Sequence, residues 1–127
     1  MKKKIQTDQA PGAIGPYSQA IDLGDLIFVS GQIPLDPKLG SIVSGGIETQ
    51  TEQVMKNIGA ILDAANLTYS DVVRAEVFLT NMDNFGKVNE IYVQYFSEEP
   101  KPARFAVGVA SLPMNSLIEI AVIAKRS

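Results

Sequence analysis

The chain has 127 residues, 46% of them hydrophobic and 20% charged, with 11 Lys and Arg against 14 Asp and Glu for a net charge of −3. This predicts one domain, residues 1–127, long enough to bury roughly two-thirds of its surface on folding. The acidic balance argues against a nucleic-acid or anionic-membrane partner, and the absence of cysteine and histidine removes thiolate chemistry, Ser-His-Asp and Cys-His arrangements and most zinc sites.

Met1-Lys2-Lys3-Lys4 is basic like the start of a signal peptide, but the polar IQTDQAPG follows it. No apolar run reaches the length of a membrane span, so the chain is expected to be cytoplasmic. Residues 3–6 predict a short edge strand. Pro11, Gly12, Gly15 and Pro16 then mark a loop, with Tyr17 directly after it. Residues 18–23 and 26–29 predict two strands turning at Gly24-Asp25, the second ending at Ser30-Gly31-Gln32. The Pro- and Gly-rich residues 33–46 read as a loop with a short extended piece at residues 41–43.

From Ile47 the period changes. Val54, Ile58, Ile61 and Ala65 recur at spacings of three and four, which predicts an amphipathic helix of about five turns. Glu48 and Glu52 suit the helix dipole, and Asn66 suits the C-terminal stop. Residues 71–80 predict a strand in which Val73, Ala75, Val77 and Leu79 share one face. Asp83 is the expected cap of a second helix over residues 84–96, with Phe85, Val88, Tyr92 and Tyr95 as its apolar stripe. Residues 100–124, PKPARFAVGVASLPMNSLIEIAVIA, predict two more strands, read as a terminal hairpin. The order β-β-β-α-β-α-β-β indicates an α+β fold, with both helices on one face of the sheet. An apolar second face would pack on another copy, making an oligomer the expected state.

Each of the last two strands keeps one charge. Arg104 shares its face with Ala106 and Gly108, which leaves room beside the guanidinium. Glu119 shares its face with Leu117, Ala121 and Ile123. A structural ion pair holding the hairpin in register explains both charges. So does a site in which Arg104 grips an anion and Glu119, its pKa raised by apolar surroundings, moves a proton. Tyr17 reads as a core ring or a pocket rim. Ser30-Gly31 reads as a turn or as a backbone donor that a ligand approaches closely. Asn89 sits on the flank of the second helix. No phosphate-binding glycine motif is present.

The motifs APGAIGPYSQAI (10–21), VSGQIPLDPKLG (29–40), VFLTNMDNFGKVNEIY (77–92) and Pro102-Ala103-Arg104, Val109, Leu112-Pro113, Ile118-Glu119-Ile120 make the chain resemble the RidA/YjgF family of enamine/imine deaminases. The resemblance implies a chorismate-mutase-like fold and a homotrimer with ligand sites in the clefts between subunits. It implies hydrolysis of 2-imino acids, such as 2-iminobutanoate and 2-iminopropanoate from PLP-dependent dehydratases, to 2-keto acids and ammonia, with no cofactor or metal. By position, Arg104 would hold the substrate carboxylate, Glu119 would activate water, and Tyr17, Ser30, Gly31, Asn89 and Ala106 would line the cleft. Some family members carry Cys at the position of Ala106, and an acid is frequent at that of Gly108, so substrate preference can differ here. A carboxylate-binding regulatory module with little turnover is the alternative. RNA cleavage, attached to some relatives, fits poorly with an acidic chain that lacks histidine.

Overall fold

The computed structural model describes all 127 residues, Met1–Ser127. Six strands form one sheet: β1 (Lys3–Ile5), β2 (Ala20–Asp22), β3 (Leu26–Gln32), β4 (Val72–Leu79), β5 (Ala103–Gly108) and β6 (Ile118–Lys125). Helix α1 (Ile47–Ala64) lies between β3 and β4 in the chain, and α2 (Phe85–Tyr95) lies between β4 and β5. The element order is the expected one, with three short 3₁₀ turns added. No helix is long and apolar enough to cross a membrane.

The spatial order is β1-β2-β3-β6-β4-β5, and every pairing is antiparallel except that of β4 with β5. This corrects the expected terminal hairpin: β5 and β6 are not neighbours, because β4 lies between them. The connection of Val109 to Leu117 is too long for a tight turn and crosses the end of β4. There Val109 N–H donates to Leu79 C=O at 2.8 Å, and Thr80 N–H donates to Leu117 C=O at 3.2 Å. A parallel pair needs a crossover, and α2 supplies it.

Side-chain alternation splits the sheet into two faces. The inner face presents Ile27, Val29, Ala75, Val77, Leu79, Ile118, Ile120, Val122 and Ala124, all buried in one core with Val54, Met55, Ile58, Ile61 and Leu62 of α1 and Val88 and Tyr92 of α2. The outer face presents Phe28, Glu76, Phe78, Phe105, Val107, Glu119, Ala121 and Ile123, none of them buried. Val73 departs from its expected place: it is 44% exposed while Val72 is buried. A register shift between Val72 and Arg74 moves it out of the alternation.

The helix ends follow local chemistry. Beyond α1, Asn66 takes φ 62° and Leu67 N–H reaches back to Leu62 C=O at 2.9 Å, a glycine-free version of the left-handed stop. Glu48 lies in the first turn of α1, whereas Glu52 accepts a hydrogen bond from Tyr95 Oη at 2.6 Å and so ties α1 to α2. Asp83 is not the cap expected for α2. Asn81 Oδ1 accepts from Asp83 N–H at 2.9 Å and starts a 3₁₀ turn, Met82–Asn84, that runs into the helix. At the C-terminus, Arg126 donates to Asp22 Oδ2, Ala65 C=O and Gly24 C=O at 2.8, 2.7 and 3.0 Å.

Candidate active site

The seven residues expected to act together fall into two groups. Glu119 pairs with Phe78 across β6 and β4, so it lies on the outer face. Arg104 pairs with Ala75 across β5 and β4, so it lies on the inner face, at the sheet edge. A position three residues along a strand points the opposite way. Within one chain, therefore, the two charges lie on opposite faces, and the ion-pair reading fails: neither side chain takes part in a salt bridge.

The first group is Glu119, Gly31, Ser30 and Tyr17. The register of β3 against β6 slips between Val29 and Gln32, so Ser30 and Gly31 occupy a bulge beside Glu119. The bulge brings the Gly31 backbone so close to the Glu119 carboxyl that a Cβ at position 31 would overlap Oε2 and stand 2.9 Å from Cδ. Glycine is needed here for space, and the close approach is made by Glu119 itself. Burial raises the Glu119 carboxyl above its ordinary value of 4.5, and with no cation paired to it nothing offsets that shift. Ser30 Oγ donates to Ser18 C=O at 2.6 Å, so it fastens the preceding loop to the bulge. Tyr17 is 54% exposed and stands at the rim. A cavity of about 270 Å³ opens here between Tyr17, Gly31, Ile14, Leu35, Pro113 and Met114.

Gln19 organises this loop and was missed at the sequence level. It is buried, its Nε2 donates to Thr7, Ala10 and Pro11 carbonyls at 3.0, 3.3 and 2.7 Å, and its Oε1 accepts from Thr7 N–H at 2.8 Å. A polar side chain next to the inward-facing Ala20, at the mouth of a Pro- and Gly-rich loop, was the available signal.

The second group is Arg104, Asn89 and Ala106. The β4–α2–β5 crossover lays α2 over the edge strand. Asn89 Oδ1 accepts from Arg104 Nη1 at 2.7 Å, and the guanidinium carbon sits 4.7 Å from the Tyr92 ring centre and 5.3 Å from that of Phe85. Ala106 follows on the same face, and Met82 lies over Gly108 further along, with its Cγ 3.1 Å from where a Cβ would stand. Arg104 is exposed, and only its bond to Asn89 uses a guanidinium donor, so the remaining N–H groups are free for an anion.

A larger recess of about 550 Å³ lies elsewhere, between Tyr69, Tyr95 and Pro100. In it Lys101 pairs with Glu99 and Tyr95 with Glu52, and none of the residues expected to act together lines it. No three Asp or Glu side chains converge as metal ligands.

Comparison with known proteins gives the chain its family. The family model described as Endoribonuclease L-PSP matches residues 7–126. AldR of Lactococcus lactis is 54% identical over 123 residues, covering 97% of both chains. The 2-iminobutanoate/2-iminopropanoate deaminase of Mus musculus is 48% identical over 124 residues, covering 98% of this chain and 91% of that one. Among solved structures, TdcF of E. coli with bound serine superposes with a TM-score of 0.92 at 43% identity, covering 98% and 99% of the two chains. The chain thus belongs to the Endoribonuclease L-PSP family, that of the RidA/YjgF proteins.

Proposed function

We propose that this protein is a hydrolytic deaminase of 2-imino acids and their enamine tautomers, 2-iminobutanoate and 2-iminopropanoate among them, and that two copies of the chain complete each site. The observation that carries this reading is the separation of the two groups. An anion-ready guanidinium lies at the edge of the inner face, and a carboxyl of raised pKa without a cation lies on the outer face. Each is half of a site. Packing the outer face of one copy beside the β5 edge of the next would bring Arg104, Asn89 and Ala106 of one chain to Tyr17, Ser30, Gly31 and Glu119 of another. The exposed Phe28 and Val107 give that outer face an apolar surface to bury, and a ring of three copies would close it.

In such a cleft, Arg104 holds the substrate carboxylate through its free N–H donors. Glu119, once ionised, takes a proton from water as the oxygen bonds to the imine carbon. The resulting carbinolamine loses ammonia as its nitrogen is protonated and the C–N bond breaks, and a keto acid remains. Overall, C=N plus water becomes C=O plus ammonia. Proton transfer of this kind supplies roughly 10²–10⁴-fold, and fixing the carboxylate adds an orientation gain. The deaminase named in the mouse and the serine-bound structure support a small amino-acid-derived carboxylate as the ligand class.

Mixing experiments test both parts. Arg104→Ala and Glu119→Gln should each abolish the accelerated loss of imine absorbance when 2-iminobutanoate is generated in situ. Co-refolded together, the two inactive chains should regain turnover, because some clefts then receive Arg104 from one chain and Glu119 from the other. A wild-type protein that accelerates no 2-imino acid overturns the reaction, and a mixture that stays dead overturns the shared cleft. Retained keto-acid binding with lost turnover in Glu119→Gln separates an enzyme from a carboxylate-binding regulatory module.

A further inference from the structure

Arg104 is held without an acid. Its neighbours on α2 are Phe85, Asn89 and Tyr92, spaced four and three residues apart and so stacked along one helix stripe. Two of them are aromatic rings within cation–π range of the guanidinium carbon, at 5.3 and 4.7 Å. The third contributes one neutral acceptor. Tyr92 is only 5% exposed, packs against Phe96 at 4.6 Å between ring centres, and has a hydroxyl that makes no hydrogen bond. A buried tyrosine whose polar end is idle is present for its ring.

The chemistry gives that ring a purpose. A carboxylate beside Arg104 would fix it more strongly, but it would occupy the same in-plane N–H fork that a ligand carboxylate needs. A ring stacked on the flat side of a guanidinium holds the cation without using its in-plane donors. We propose that Tyr92, assisted by Phe85, is a positioning residue that holds the Arg104 guanidinium by its face so that its edge is presented to the carboxylate of the substrate. The inference rests on the deaminase reading above for the identity of that carboxylate, and it assigns the ring, not the hydroxyl, to the task.

The test is a series on the full-length protein, with Tyr92→Leu removing the ring and Tyr92→Phe keeping it. KM and kcat are measured for 2-iminobutanoate made in situ, Kd for 2-oxobutanoate by calorimetry, and melting by circular dichroism. Loss of one cation–π contact should raise KM and Kd together by about two- to thirtyfold, with kcat held within about twofold because the lost interaction serves ground state and transition state alike. Tyr92→Phe should restore both constants to wild-type values. A ring that merely fills the core behaves differently: Tyr92→Leu then lowers the melting temperature and the active fraction but leaves KM and Kd unchanged, and the proposal falls. It also falls if Tyr92→Phe is as impaired as Tyr92→Leu. If Tyr92→Leu does not fold, Phe85→Leu, at a partly buried position, carries the same comparison. A wild-type protein that binds the oxo acid without hydrolysing imine removes the deaminase reading alone, and Kd still decides the cradle; one that binds no oxo acid removes both.

Discussion

Replacing Gly31 with alanine perturbs the candidate base without touching it. The new methyl would overlap Glu119 Oε2 and stand 2.9 Å from Cδ, against 3.4 Å for ordinary contact, so Cδ alone has to retreat by about 0.5 Å (3.4 − 2.9). The oxygen has further to go, and the carboxyl as a whole must leave its place by on the order of 1 Å. A displacement of that size at a reacting group costs about 10²-fold, equivalent to about 2.7 kcal/mol of activation free energy. The methyl meets the flexible end of a side chain, so Gly31→Ala should fold with a melting temperature close to wild type. Steady-state kinetics on 2-iminobutanoate generated in situ should show kcat reduced about 10²-fold. KM should change little, because in the proposed reaction it is Arg104, in the other group of site residues, that grips the carboxylate. A Gly31→Ala protein with kcat within about threefold of wild type would refute the assignment of Glu119 as the base in the position described.

Three other outcomes follow from the structure. The folded-state pKa of Glu119 lies above its unfolded value, so its contribution to stability is complete below pH 4.5 and is lost as pH rises through the folded pKa. Glu119→Gln, always neutral, should therefore melt higher than wild type at pH 7 and no higher at pH 4; an equal difference at both would refute the burial argument. Gly59→Ala would drive a methyl into the Tyr69 hydroxyl, which now bonds Met55 C=O at 2.6 Å. Chemical denaturation should show a loss of about 1–3 kcal/mol, with activity per folded molecule unchanged. Phe28→Asp puts a charge on the exposed outer face; sedimentation should show the mass falling to the 13.7 kDa of one chain together with loss of turnover, and a wild-type protein that is active as a monomer contradicts the shared cleft.

Much of the architecture could be read from periodicity alone. The three- and four-residue spacing of Val54, Ile58 and Ile61 marked α1, and the alternation from Ile118 onward marked β6. Strand order could not be read this way. Local alternation records which residues share a face of one strand, but not which strand lies beside it, so the adjacency of β5 and β6 in the chain suggested a hairpin that β4 interrupts. The same gap hid the placing of Arg104 and Glu119 on opposite faces, since their relation passes through the register of β4 with both neighbours. Residue type points to Asp83 as the cap, whereas Asn81, two residues earlier, makes the bond. The need for Gly31 was legible only as close approach; that the approaching group is Glu119 depends on a bulge that pairing creates.

The position of β6 in the sheet bears on how the protein is made. It is the last of the six strands of this sheet to be synthesised, and it lies between β3 and β4. Until Ile118–Lys125 has left the ribosome, the sheet lacks the strand that joins its two pieces, the β1-β2-β3 meander and the β4–α2–β5 crossover. Each ends in an open strand edge of the kind that recruits other chains. The eight residues of β6 join the pieces and deliver Glu119 at the same moment, and Arg126 then latches the end of the chain to the β2–β3 turn. A polypeptide released before β6 would keep Arg104 on its crossover while lacking both the seam of the sheet and the carboxyl proposed to work opposite it.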